Sequence, residues 1–261
     1  MATYLDDILV YHRARAASDT RSVDRAVEAC AEVAPARGFR AALQSTVGQP
    51  LIAVIAEVKR RSPSKGVLAA DIDAAHLASA YAAGGASCLS VLTDEPHFGG
   101  SAADLQAARA ASGLPVIRKD FTVSLLDVCD ARKMGADCVL LIAAALDDRE
   151  LVDFRALATM LGIDVLVEIH DERELDRALA AGADLIGVNQ RDLVTFQVDR
   201  DRATRMAPLL PHGVIRVAES GVQTPDDAAA LATAGYHAIL VGESLVRSPD
   251  PAAAVAALRG G

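Results

Sequence analysis

The sequence predicts an α/β fold, a (β/α)8 TIM barrel preceded by an N-terminal helical extension. Three observations carry that prediction. From about residue 50 onward, eight short apolar runs alternate strictly with eight amphipathic stretches. That alternation means parallel strands joined by crossover helices. A repeat then divides the region into quarters: GGASCLSV, MGADCVLL, AGADLIGV and AGYHAILV recur before every second strand, with glycines at 85, 135, 182 and 235. Two βα pairs used four times close a barrel, whereas an open doubly wound sheet has no such quarters. The length of 261 residues also matches the roughly 250 that one barrel needs.

The eight strand segments are LIAVIAEV (51–58), CLSVLT (88–93), PVIRKD (115–120), CVLLIA (138–143), DVLVEI (164–169), LIGVN (185–189), VIRVAE (214–219) and AILVG (238–242). Between and after them lie the helical patterns, from DIDAAHLASAYAAGG to DPAAAVAALRG. Apolar residues recur in these at three- and four-residue spacing, with Ser, Thr or Asp at many starts and Gly at many ends. Residues 1–48 stand outside the count. LDDILVYHRARAAS reads as one helix and RGFRAALQS (37–45) as a second, short one. The expected organisation is an extension over 1–48, packed over one end of a barrel formed by 49–261, in a single domain.

Composition excludes several function classes. Hydrophobic residues make up 52% and charged residues 23%, the balance of a soluble globular chain. No apolar run reaches the ~20 residues that span a bilayer, and the start lacks the basic and apolar regions of a secretory signal. A formal charge of −9, without basic runs interleaved with aromatics, opposes nucleic-acid binding. Cys30, Cys88, Cys129 and Cys138 are far apart and read as small buried hydrophobes in a reducing cytoplasm. The six histidines form no HxH or HExxH pair, so nothing in the spacing asks for a metal or other cofactor.

The basic residues are unevenly chosen. Of 26, only Lys59, Lys65, Lys119 and Lys133 are lysine. Where arginine fills most positive positions, the remaining lysines are enriched for places where arginine will not serve. A lysine can deliver its proton at useful pH and arginine cannot. Lys133, late in a helix, reads as a solvated charge, and Lys65 falls in a Gly-containing loop.

In this fold the chemistry sits at the C-terminal ends of the strands. Those ends carry Glu57 and Lys59, Lys119, Glu168, Asn189, Glu219 with Ser220 and Gly221, and Gly242-Glu243-Ser244. Period-two alternation turns Glu57, Lys59, Lys119, Glu168 and Glu219 inward. Charges inside a packed barrel are expensive unless they pair at its mouth. An ion network that merely holds the rim would have no reason to prefer lysine over the abundant arginine. Asn189 alone could be a loop cap. Ser220-Gly221 and Gly242-Glu243-Ser244 follow strands seven and eight, where barrels bind phosphate through main-chain N–H groups. Glu243 would repel a phosphate, so only its main chain is expected to contribute. Lys59 and the SPSKG loop could cover the same anion.

The combined set EVKRRSPSKG (57–66), SVLTDEPHFGGS, PVIRKDF, LVEIH, IGVNQRDL, VAESGV and VGESLVRS resembles the indole-3-glycerol phosphate synthase family of tryptophan biosynthesis. The resemblance covers nearly the whole chain, and the length implies the stand-alone form. It implies a carboxy-lyase that closes a pyrrole ring on 1-(2-carboxyphenylamino)-1-deoxyribulose 5-phosphate with loss of CO2 and water, without a cofactor. Lys119 matches the family's general acid and Glu168 its catalytic glutamate. Glu57 would stabilise developing positive charge, and Lys59 would serve the substrate phosphate or carboxylate. Asn189 and Ser220 would position the sugar hydroxyls and the carboxylate, with Glu219 as a further carboxylate at the mouth. Ser62, Pro63, Phe98, Phe121, Leu140, Arg191 and Leu193 would line the substrate site, the apolar members forming a bed for the aromatic ring. Gln190, Arg191 and Arg61 differ from residues common in relatives and bear on affinity more than on reaction type. The expected partner is one small phosphorylated molecule, with no nucleic acid or membrane, and the chain a monomer or weak homo-oligomer. Two alternatives remain from the residues: a phosphate-binding barrel isomerase, which would lack the EVKRRSPS block, and a sugar-phosphate-binding barrel without activity, which would leave Lys119 and Glu168 unexplained.

Overall fold

The computed structural model describes residues 4–62, 66–69 and 71–260. Eight parallel strands close into a barrel: β1 (Ala53–Val58), β2 (Cys88–Leu92), β3 (Val116–Lys119), β4 (Cys138–Ile142), β5 (Asp164–Ile169), β6 (Leu185–Asn189), β7 (Ile215–Glu219) and β8 (Ala238–Val241). Each pairs with its neighbours in sequence, and β8 returns to β1 through Ala53↔Ala238 to Ala56↔Val241. All eight expected strands form.

Alternation along the strands separates two cores. Ala53, Ile55, Ile117, Leu140, Leu166, Val217 and Leu240 point inward and fill the barrel, as the period-two reading requires. Val54, Ala56, Val58, Val139, Leu141 and Val167 point outward and meet the helices. Those helices begin at side-chain caps on Ser101, Ser124, Asp147, Asp171, Thr224 and Asp250, which satisfy otherwise orphaned N–H groups. The repeated glycine of each quarter takes a left-handed conformation; at Gly135, for example, φ is 93°. Only Gly adopts that without strain, and it turns the helix end into the next strand.

The N-terminal segment has three helices rather than two: α1 (Tyr4–Ser18), α2 (Val23–Cys30) and α3 (Phe39–Gln44). The unanticipated α2 carries its apolar residues at Val23, Ala26, Val27 and Cys30, a helical spacing, behind a Ser22 cap. Nor does the segment lie over one end alone. Near the barrel mouth, Arg13 in α1 donates to the carbonyls of Val123 and Ala145 and pairs with Glu150. At the opposite end, α3 inserts the fully buried Phe39 and Leu43 into the interior core. The main-chain N–H groups of Arg37 and Arg40 donate to Asp137 and Asp164, each at 2.8 Å. The floor is thus sealed by apolar side chains that the open barrel would otherwise expose.

No described helix is long and apolar enough to cross a membrane. Two short helices, Glu95–Phe98 and Glu243–Val246, also lie outside the expected pattern. After β1, Arg61 pairs with Val67 and Ser62 with Gly66 in antiparallel fashion.

Candidate active site

The strand registers assemble the mouth. Glu57 lies opposite Ser90, Leu92 opposite Lys119, Glu168 opposite Gly187, and Asn189 opposite Glu219. Because each acidic residue sits at the same parity as the interior core, all turn into the barrel. Lys119 Nζ donates to Glu168 Oε2 at 2.9 Å and lies 3.7 Å from Glu219 Oε2. Asn189 Nδ2 donates to the other Glu168 oxygen at 3.0 Å. Asn189 is itself fixed, since its Oδ1 accepts from the Arg191 N–H at 2.9 Å and its carbonyl from Arg202. A second pair stands beside the first: Lys59 donates to Glu57, whose other oxygen accepts from Ser90 Oγ at 3.2 Å.

Two glycines make this packing possible. A methyl group on Gly187 would stand 2.0 Å from Glu219 Oε1. One on Gly242 would stand 2.5 Å from Glu57 Oε1 and 3.2 Å from Lys59 Nζ. Gly242 therefore brings the loop after β8 directly against the Glu57–Lys59 pair, so the two groups of expected site residues meet in one place.

Burial and charge divide the carboxyls. Burial, then the neighbouring charge of Glu168, push Glu219 up to about 8. Burial alone would raise Glu168 as well, but Lys119, His170 and the Asn189 amide hold it down at about 2. Burial disfavours the Lys119 ammonium, yet Glu168 and Glu219 outweigh it and raise its pKa above the ordinary lysine value. Near neutral pH the cluster therefore holds an ammonium, a carboxylate and a neutral carboxylic acid.

These groups lie at the base of a cavity of about 790 Å3. Every expected site residue among those described lines it: Glu57, Lys59, Ser62, Phe98, Lys119, Phe121, Leu140, Glu168, Asn189, Arg191, Leu193, Glu219, Ser220, Gly221, Gly242, Glu243 and Ser244. Pro63 falls outside the described residues. In the loop after β7, Ser220 and Gly221 both have positive φ, 65° and 79°. That is unusual for serine and costs of order 1 kcal/mol or more, a strain typical of functional loops. Glu243 turns its carboxylate to Arg247 at 3.5 Å.

Sequence reasoning missed the wall formed by Thr195–Val198, Arg200, Gln223 and Arg247. The first of these belong to a loop after β6 folded on itself by Asp192, which accepts from the Val194 and Thr195 N–H groups, and by an Arg191↔Val198 bridge. An Asp with a Thr three residues on, Asp192 and Thr195, was the available turn signal.

A sequence model described as indole-3-glycerol phosphate synthase matches residues 5–258. The chain belongs to the indole-3-glycerol phosphate synthase family. With it the chain is an enzyme of the carboxy-lyase class. Proteins of that name from Mycobacteroides abscessus and Mycobacterium leprae are 51% and 52% identical over 240 and 241 residues. The alignments cover 91% and 92% of this chain and 87% of each relative. Among solved structures, a thiamine phosphate pyrophosphorylase from Pyrococcus furiosus superposes with a TM-score of 0.59 at 15% identity, over 80% of this chain and 93% of its own. An N-acetylmannosamine-6-phosphate 2-epimerase from Clostridium perfringens gives 0.58 at 14% identity, over 74% and 86%. At that identity the likeness is one of fold.

Proposed function

We propose that the cavity binds 1-(2-carboxyphenylamino)-1-deoxyribulose 5-phosphate and converts it to indole-3-glycerol phosphate, with Lys119 as general acid and Glu168 as general base. The observation that carries this reading is the 2.9 Å hydrogen bond between Lys119 and Glu168 at the base of a half-apolar cavity. Ring closure forms a bond from the carboxyl-bearing aromatic carbon to the ketone carbon, and the ketone oxygen needs a proton. Lys119 supplies it as an ammonium, which an arginine does poorly. The carboxyl group then leaves as CO2, and its electron pair restores the aromatic ring. Loss of the new hydroxyl as water requires a second proton donation, and formation of the pyrrole double bond requires removal of one proton. Glu168 takes that last proton. Its contact with Lys119 returns that proton to the lysine, and solvent supplies the second donated proton, the one consumed net when a carboxylate leaves as CO2.

The surrounding residues fit supporting roles. Phe98, Phe121, Leu140 and Leu193 offer an apolar bed for the aromatic ring. The main-chain N–H groups around Gly221, Gly242, Glu243 and Ser244 receive the phosphate, with Lys59 alongside. Glu57 faces charge developing at the substrate nitrogen and keeps Lys59 in place. Asn189 orients Glu168, and Ser220 and Glu219 contact the sugar hydroxyls. The discriminating experiment is Lys119→Arg, which preserves charge and most binding. Retained substrate affinity with turnover reduced at least about a hundredfold supports acid catalysis. Full turnover in that variant overturns it.

A further inference from the structure

A second cluster of polar side chains lies outside the barrel mouth, where α1 meets the loop after β2. His12 is buried at 1% exposure, and neither of its ring nitrogens has a hydrogen-bond partner among the described residues. The Asp94 carboxylate is fully buried, and its Oδ1 also lacks a partner. Among the described residues, the ion pairs of Asp94 are with His12 and His97 alone. Asp94 and His97 stand three residues apart on the short helix Glu95–Phe98 and its cap, so they share one face. Ligating atoms from all three residues lie within 4.8 Å of one another.

We propose that His12, Asp94 and His97 bind a divalent first-row transition ion, of which Zn2+ is the representative. Two imidazoles and one carboxylate suit that class, whereas Mg2+ and Ca2+ prefer all-oxygen shells. The spacing fits. Two ligands of a tetrahedral ion with bonds of about 2.0–2.2 Å lie about 3.4 Å apart, and His12 Nε2 stands 3.7 Å from Asp94 Oδ1. That gap is too long for a hydrogen bond between the two and wide enough for an ion to bridge. His97 Nδ1, now 2.8 Å from Asp94 Oδ2, needs only a small rotation to join. A cavity of about 460 Å3, lined by His12 and Asp94, leaves room for a water as fourth ligand. A buried carboxylate oxygen, Asp94 Oδ1, and a buried imidazole, both without hydrogen-bond partners among the described residues, are costly. A bound cation satisfies both together.

The ion would tie the N-terminal helix to the wall of the substrate cavity. The His12 ring packs 5.3 Å from that of Phe121, and Phe98 follows His97 directly and lies 6.3 Å from Phe121. The site is thus a strut behind the apolar bed.

The test is titration of the full, metal-stripped chain with Zn2+ alone, followed by competition with a chelator and by thermal unfolding. The expected result is one tightly bound equivalent. Excess Zn2+ at a hundred times Kd should raise Tm by about 5–10 °C. Co2+ in its place should show the intense visible bands of a tetrahedral centre. His97→Gln, at a partly exposed position, should weaken Zn2+ at least about a hundredfold, and Asp94→Asn should do the same if His12→Phe does not fold. No uptake in the micromolar range overturns the proposal. So does uptake unchanged in His97→Gln and Asp94→Asn, which would place the ion on the carboxylates of the barrel mouth.

Discussion

Gly187→Ala is the sharpest probe of how the carboxylates are packed. The added methyl would sit 2.0 Å from Glu219 Oε1, where ordinary contact needs about 3.4 Å. The Glu219 carboxylate must therefore withdraw by more than an ångström, because the glycine lies mid-strand with neighbours on both sides. Its Oε2 is now 3.7 Å from Lys119 Nζ. Above pH 8, where Glu219 is ionised, moving that oxygen an ångström farther away at an effective dielectric of about 20 loses about 1 kcal/mol of attraction. Overpacking adds about 1–3 kcal/mol to the cost of folding. A displacement of that size at a reacting cluster lowers turnover by about a hundredfold. Steady-state kinetics and thermal unfolding of Gly187→Ala, Glu219→Ala and the double variant separate these effects. The methyl should destabilise the wild-type background and cost much less in the Glu219→Ala background, where the Leu166 side chain at 3.3 Å is the contact that remains. Unchanged kcat and Tm in Gly187→Ala, or a penalty undiminished in the double variant, would show that Glu219 does not pack against this glycine.

Three further outcomes follow from the same geometry. Glu219 has a native pKa of about 8 against an unfolded value near 4.5, so the folded state holds the extra proton between them. Its contribution to stability is complete below pH 4.5 and lost as pH rises through 8; denaturant titrations should show Glu219→Gln losing less stability than wild type across that window. Gly242→Ala should raise KM and lower kcat, by about tenfold or more in kcat/KM, because its methyl would displace both Glu57 and Lys59. Asp137 is fully buried and accepts from the N–H groups of Val116 and Arg37 and from the Arg109 guanidinium. Asp137→Ala should cost about 3–5 kcal/mol and lower Tm by at least about 6 °C, with kcat at permissive temperature unchanged.

The barrel was legible because its determinants are local. Strand parity follows from a period of two, and the same parity that buries Ile55 and Leu166 turns Glu57 and Glu168 inward. The strand-end residues could be gathered into one site from the order of elements alone. What escaped depends on contacts distant in sequence. The loop carrying Phe196 is shaped by an Arg191 hydrogen bond to the Phe196 carbonyl and by the Tyr4 ring 5.1 Å away. Gly187, mid-strand, and Gly242, just past a strand end, look like ordinary glycines until the neighbouring carboxylates are in place. His12 is an isolated histidine in a helix, and only the packing of α1 brings it to Asp94 and His97. Helix α2 is the exception: its 3–4 apolar spacing was present in the sequence.

In the proposed reaction, Lys119 and Glu168, in contact at the barrel mouth, perform the acid and base steps. The most direct test is to mix the purified protein with 1-(2-carboxyphenylamino)-1-deoxyribulose 5-phosphate and follow indole fluorescence, with Lys119→Met and Glu168→Gln beside the wild type. Rapid product formation by the wild type, lost by at least about a hundredfold in each folded variant, is the predicted result. Undiminished turnover in either variant would contradict the assignment, and no indole product from folded wild type would contradict the function itself.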